Sequence, residues 1–256
     1  MGENFARVEN KYLISVSQAS ALEKGLRRQG FCRSDFGSPK VQSLYYDTGD
    51  CAVIRASLER PAYKEKLRLR AYGEPGALTQ TFLEIKKKYN GVVYKRRTAL
   101  PLRDAMHGLS VGVLPEAAGQ VGNEALWLVR RYGLVPGAVI AYDRDAWFNR
   151  DEPGVRITLD RNLTFRNWDL DLNLQTGNLP IIPAEERLLE VKTGGTYPLW
   201  LVRLLNEVGA RRTHFSKYGQ AYQLYIQPEK EEIERSGFNC STASLSKGAL
   251  QPGASC

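Results

Sequence analysis

The sequence predicts an α+β protein that is mainly β: an antiparallel sheet, strongly curved or closed into a barrel, with flanking helices. Three observations lead there. Eight or nine segments alternate with a period of two, turn signals such as Asn90-Gly91 separate them, and helical periodicity is confined to a few stretches, most near the two ends. A sheet of that many short strands removes its free edges best by curling or closing on itself.

Residues 5–16 alternate as a first strand, and Ser17 is placed to cap a helix, SQASALEKGLRRQG, that ends at Gly30. VQSLYYDT (41–48) is a second strand. AYKEKLRLRAY, TQTFLEIKKK and VVYKRRTALPL follow as three more, the last two joined at Asn90-Gly91, a pair that tolerates the positive φ of a two-residue hairpin. Residues 103–123 are Gly-rich and weakly patterned, with room for short helical turns, and EALWLVRRYG (124–133) is a short amphipathic helix. GAVIAYDRDAWFNR, GVRITLD and NLTFR read as three strands, 167–186 as a long loop and RLLEVKT (187–193) as a final strand. Pro198 opens a helix, PLWLVRLLNEVG, and another runs from Ser216 to about Ile226. One domain over residues 1–227 is expected, with the charged, then Ser/Gly-rich 228–256 as a disordered tail.

With 43% apolar and 25% charged residues, this is the composition of a globular protein. A net charge of +8 points to an anionic partner: nucleic acid, anionic lipid or a small polyanion. No apolar run approaches the roughly 20 residues that span a bilayer, and no signal-peptide core is present, so a cytoplasmic location is expected. Cys32, Cys51, Cys240 and Cys256 are irregularly spaced, which argues against a zinc site or a disulfide frame. His107 and His214 lie far from any Ser-Asp pairing, which argues against a hydrolase triad.

The strand faces carry the chemistry. In KEKLRLR, Lys64, Lys66, Arg68 and Arg70 share one face; Glu84, Lys86 and Lys88 share another, as do Lys95 and Arg97. Arg7, Glu9 and Lys11 lie together on the first strand, Tyr142 with Arg144, Arg156 with Thr158 and Asp160, and Glu190 with Lys192. For one strand, solvation explains such a face. Repeated over seven, with carboxylates in register among the cations, the pattern points instead to an inward face lining a wet lumen that holds a polyanion. Lys87 and Arg96 point the other way and should lie outside. Arg and Lys can clamp the oxygens of a transferring phosphoryl group while carboxylates hold a divalent cation. Walker A and dinucleotide glycine fingerprints are absent from the sequence, so side chains would grip the phosphates.

RVENKY, SLYYDT, KLRLRAYG, FLEIKKK followed by YKRR, AYDRDAW, VRITLD, LLEVK and FSKYGQAY resemble, in order, the VTC domain of the triphosphate tunnel metalloenzymes. The resemblance implies an eight-stranded antiparallel tunnel that transfers the ATP γ-phosphate to a growing polyphosphate chain, releasing ADP, with Mn²⁺ or Mg²⁺. Its motifs assign Lys11, Arg68, Arg70, Lys86, Lys95, Arg97, Arg144, Arg156 and Lys217 to the phosphate clamp. They make Glu190 the principal metal ligand, with Glu9 and Glu84 as candidates for a second metal contact or for orienting the lysines. ATP and polyphosphate are the implied partners, and a separate membrane protein could receive the product.

Hydrolytic tunnel enzymes carry Glu-x-Glu-x-Lys on the first strand; here Arg7, Glu9 and Lys11 stand there, one carboxylate fewer, which leans toward polymerisation. The rival readings are a tripolyphosphatase or nucleoside-triphosphatase of the same tunnel, and a non-catalytic polyanion- or RNA-binding module. Tyr63, Tyr72, Tyr89 and Tyr94 interleave with the basic strands and could stack bases, but Glu84 and Glu190 among the cations argue against a nucleic-acid groove. Trp127, Leu128 and Tyr132, like Leu199, Trp200 and Leu204, have helical spacing and read as packing residues.

Overall fold

A computed structural model describes residues 8–34, 40–90, 92–174 and 177–232. In chain order its strands are β1 (Val8–Ser15), β2 (Cys32–Arg33), β3 (Lys40–Asp47), β4 (Tyr63–Tyr72), β5 (Gln80–Tyr89), β6 (Val92–Pro101), β7 (Val135–Phe148), β8 (Arg156–Arg166), β9 (Leu179–Pro180), β10 (Glu186–Thr193) and β11 (Arg212–Thr213). Its helices are α1 (Val16–Arg28), α2 (Ala52–Leu58), α3 (Leu102–Val111), α4 (Gly119–Tyr132), α5 (Leu199–Glu207) and α6 (Lys217–Ala221).

The strands form one antiparallel sheet of 11, in the order β11-β1-β10-β8-β7-β3-β4-β5-β6, with β2 on β7 and β9 on β8. The expected mainly-β class with flanking helices holds; the expected closed barrel of eight strands does not. The hydrogen-bonded path stays open between β6 and β11. The reason lies on the concave side, where Tyr218, Ala221, Tyr222 and Ile226 pack against inward-facing Tyr45, Ile140, Tyr142 and Phe165. A sheet that wraps a helix is too wide for its own edges to meet. The curl is nevertheless deep: Lys66 Nζ on β4 reaches within 3.5 Å of Ser216 Oγ beside β11.

Two apolar clusters cover the convex side. Leu67, Leu69, Leu83 and Ile85 pack under α3 and α4, through Leu102, Leu109, Ala125 and Leu128. Tyr12, Ile14, Ile157, Leu189 and Val191 pack under α1 and α5, through Leu22, Leu26, Leu201 and Leu204. Period-two alternation therefore places apolar residues against helices and their charged neighbours toward the lumen.

Several boundaries differ from expectation for identifiable reasons. Ser15, not Ser17, caps α1: its hydroxyl accepts from Gln18 N while the Gln18 side chain accepts from Ser15 N. The expected strands GVRITLD and NLTFR are one, β8, interrupted opposite Ala141–Asp143, where Asn162 takes φ +53°. Helix α2 lies in a stretch too short for its helical pattern to be read, while α3 falls where short helical turns are expected and is longer than they would be. The last helix begins at Lys217, makes a π-turn over Tyr222–Ile226 and stays helical through residues 227–232. Pro228 lacks an N–H and would clash with the preceding turn, so a π-turn just before it lets the helix continue past its expected end near Ile226. Arg7 and residues 233–256 of the expected tail lie outside the described residues.

Candidate active site

Two walls of the curled sheet face each other across the lumen, and each is organised by buried carboxylates. On the first wall the register aligns Tyr45, Arg68, Glu84 and Arg97 on one rung, with Lys66, Lys86 and Lys95 on the next. Glu84 is 1% exposed. Arg68 Nε donates to it at 2.7 Å, Lys95 pairs with its other oxygen, and Arg70 Nε lies 3.8 Å away while donating to Ser43 Oγ. Burial alone would raise the Glu84 carboxyl, but Arg68, Arg70 and Lys95 bring it down to about 2. Arg68 also donates to Tyr45 Oη at 3.0 Å, and Arg97 stacks over the Phe82 ring.

On the second wall Asp160 and Glu190 hold the cations. Arg144 donates through Nε and Nη2 to the two Asp160 oxygens, at 2.6 and 2.7 Å, and reaches Glu190 at 3.3 Å. Lys217, from α6, lies 2.6 Å from Asp160 and 2.9 Å from Glu190, with its ammonium over the Tyr142 ring. Lys11 and Lys192 each stand between Glu190 and Glu9, at 3.5 to 3.7 Å. Burial would by itself raise Glu190; Lys217, Lys11, Arg144 and Lys192 hold it well below the usual carboxylate range. Burial likewise opposes the charge on Lys217, yet Asp160 and then Glu190 raise its ammonium above the ordinary lysine value. Arg156, opposite Lys192 on the neighbouring strand, is exposed at the rim.

The walls sense each other. Burial lowers the Lys86 ammonium, and Lys11, Arg68 and Lys192 add to that against the attraction of Glu9. Glu9 itself is lowered: Lys192, Lys86 and Lys11 outweigh the effect of its burial. Lys95 is lowered mainly by burial, against the pull of Glu84.

All nine expected clamp residues thus lie on lumen-facing positions or beside them. The expected metal trio, in contrast, is not brought together. Glu9 and Glu190 share Lys11 and Lys192, while Glu84 stands on the opposite wall inside its own ring of cations. Among the described residues no three His, Cys, Asp or Glu side chains gather into a metal cluster. Glu9 and Glu190, both held ionised and sharing Lys11 and Lys192, are the carboxylates that would hold a divalent cation.

Asp160, the completely buried anchor of Arg144 and Lys217, was visible on the VRITLD face but without a role. Lys66 and Lys192 share period-two faces with assigned residues and could have been added on that ground. Tyr45 carried no signal: a strand tyrosine reads as packing. Lys87 and Arg96 lie outside as expected, both paired with Glu124 of α4.

A curled antiparallel sheet whose lumen is lined by cations fixed on buried carboxylates defines an anion-tunnel protein. The VTC domain family model matches residues 6–226, and the chain belongs to that family. Membership places it among tunnel-fold enzymes that act on phosphate or nucleotide substrates. No curated protein matches the sequence. Among solved structures, a candidate adenylate cyclase from Bacillus halodurans superposes with a TM-score of 0.49 at 12% identity, over 82% of this chain and 93% of that one. A candidate adenylate cyclase from Vibrio parahaemolyticus gives 0.45 at 13%, over 84% and 97%. A protein from Pyrococcus horikoshii gives 0.40 at 14%, over 87% and 99%.

Proposed function

We propose that this chain is a polyphosphate polymerase, transferring the γ-phosphate of ATP to a growing inorganic polyphosphate. The observation that carries this is the pair of opposed, carboxylate-anchored cation walls in a VTC-family chain. Arg68, Arg70 and Lys95 on one side and Arg144, Lys217 and Lys11 on the other bind the triphosphate oxygens and hold the chain end in line with the γ-phosphorus. A terminal oxygen of the acceptor chain attacks that phosphorus, the bond to the bridging oxygen breaks, and ADP leaves with the electron pair. Glu9 and Glu190 would hold Mn²⁺ or Mg²⁺, which would supply further neutralisation of the phosphate oxygens.

The electrostatics support transfer to phosphate over transfer to water. A water nucleophile needs a base, and Glu84 at about 2 and the strongly lowered Glu190 are poor ones. A phosphate chain end is already ionised. One observation favours the hydrolytic alternative: Tyr45, whose burial alone would raise it, is brought to about 7 by Arg68, Arg70 and Lys66, and so is a base near neutrality.

The deciding experiment incubates the protein with ATP and Mn²⁺ and follows polyphosphate on stained gels alongside ADP and free phosphate. A ladder of chains with ADP and little free phosphate is expected. Free phosphate without chains, abolished by Tyr45→Phe, would establish the hydrolase instead.

A further inference from the structure

One end of the β4–β5–β6 ribbon is built unlike the rest of the surface. Its last rung aligns Tyr63, Tyr89 and Val92, which are 44%, 55% and 55% exposed. They share the convex face with Tyr94, and the exposed Trp127 and Tyr132 of α4 extend the patch. Tyr132 and Tyr63 both hydrogen-bond Glu65 on the adjoining rung. Trp127 and Tyr132, expected as packing residues, stand exposed with the rung residues instead.

The concave face of the same end carries the charge. Lys64 and Lys88 stand opposite each other across β4 and β5, and Arg60 lies in the turn before them. Burial and then repulsion from Lys88 and Arg60 lower the Lys64 ammonium, with no carboxylate opposing them. Of the nearby acids, Glu65 pairs with Lys87 and Glu124 with Lys87 and Arg96, while Glu59, next to Arg60 in the chain, forms no ion pair with Arg60, Lys64 or Lys88. Among the described residues Arg60, Lys64 and Lys88 form no ion pair, and three such cations beside an exposed aromatic rung call for an anionic counter-surface.

The arrangement selects among anionic surfaces. Single-stranded nucleic acid lies along a face and needs rings and cations on that same face. Here the cations on the ring side, Lys87 and Arg96, are already paired with Glu65 and Glu124, while Arg60, Lys64 and Lys88 stand on the other side, so only a surface entered end-on touches both the rings and those three cations. Tyrosine and tryptophan, apolar bodies with polar tips, are the side chains that settle at a bilayer's headgroup level, and lysine and arginine beside them meet anionic headgroups. We infer that the β5–β6 hairpin end is a peripheral docking site for anionic lipid surfaces. It enters the headgroup layer end-on through Tyr63, Tyr89 and Val92, with Arg60, Lys64 and Lys88 on the phosphates. This does not depend on the catalytic reading.

The full chain is tested by co-sedimentation with phosphatidylcholine vesicles, with and without roughly a third phosphatidylserine, at low salt and at about 0.5 M salt. Binding to the anionic vesicles alone is expected, weakened by salt and accompanied by a blue shift of tryptophan emission. Arg60→Ser with Lys88→Ser should lower the partition about 25-fold, each basic residue near such a surface accounting for about fivefold, and separately Tyr89→Ser with Val92→Ser should lower it about tenfold through lost apolar burial. Circular dichroism and thermal melting confirm that both double variants remain folded. Absence of binding to anionic vesicles, or equal binding by the folded variants, overturns the proposal. So does a self-association or an oligonucleotide affinity that the Tyr89/Val92 variant abolishes, since the patch would then belong to a second copy or to nucleic acid.

Discussion

Lys217 Nζ stands 2.6 Å from Asp160 Oδ2, with both side chains buried although one comes from a helix and the other from the middle of β8. The contact ties α6 into the sheet it holds open, so it is at once part of the site and part of the fold. Lys217→Met leaves Asp160 and Glu190 short of a counter-charge and should lower stability by about 3 kcal/mol. Urea unfolding of the double variant with Asp160→Asn should show a loss well below the sum of the two single losses; additive losses would mean that the pair is not coupled.

Tyr45 should titrate near neutrality. Its phenol is brought from the ordinary tyrosine value to about 7, by Arg68, Arg70 and Lys66 acting against burial. A group whose folded pKa is depressed stabilises the fold fully above its unfolded value, near 10, and the contribution is lost as pH falls through about 7. Phenolate absorbance should therefore show a phase with a midpoint near 7 that Tyr45→Phe removes. The stability advantage of the parent over that variant should grow between about pH 7 and 10. A titration identical in parent and variant would show that the Tyr45 hydroxyl stays neutral.

Neighbouring lysines should behave oppositely. Lys86 faces the lumen, so Lys86→Ala should raise KM for ATP about tenfold through loss of a charge on the phosphates. Lys87 faces α4 and pairs with Glu65 and Glu124, so Lys87→Ala should leave the kinetics alone and cost less than about 1 kcal/mol. Equal kinetic losses from the two variants would refute the assignment of faces.

Metal dependence should separate the carboxylates. Glu9→Gln and Glu190→Gln should each weaken Mn²⁺ binding roughly tenfold, measured by calorimetry in the presence of a non-hydrolysable triphosphate. Glu84→Gln should leave Mn²⁺ affinity alone and change triphosphate affinity. An Mn²⁺ defect in Glu84→Gln would place the cation on the other wall.

What was legible in the sequence was whatever repeats along a strand. KEKLRLR, FLEIKKK and LLEVK announce their faces because alternation is local, and the lumen residues follow from it. Which rungs meet across the lumen is not local. Glu9, Glu84 and Glu190 look equivalent on their strands, and only the curl puts Glu84 on the far wall. Asp160 was hidden for the same reason: its partners Arg144 and Lys217 come from two other elements, β7 and α6. Closure was misjudged because the inward face of the lower half is apolar, through Ile140, Leu163, Phe165 and Leu188, and nothing in those strands says that a helix fills it. Helix α2 went unread because Ala52–Leu58 has only seven residues and Cys51 at its start, in the left-handed region, provides no side-chain cap.

Two of the three apolar clusters sit outside the curl, between the sheet and the four helices α1, α3, α4 and α5. Cohesion and chemistry therefore occupy opposite sides of the same strands. A substitution at a lumen position such as Lys95 or Arg97 removes little of the packing that keeps the chain folded, and one at Leu83 or Ile85 adds or removes no charge at the site. Such a scaffold can exchange one anion for another over evolutionary time by altering alternate residues of a few strands, while the intervening residues hold the architecture constant.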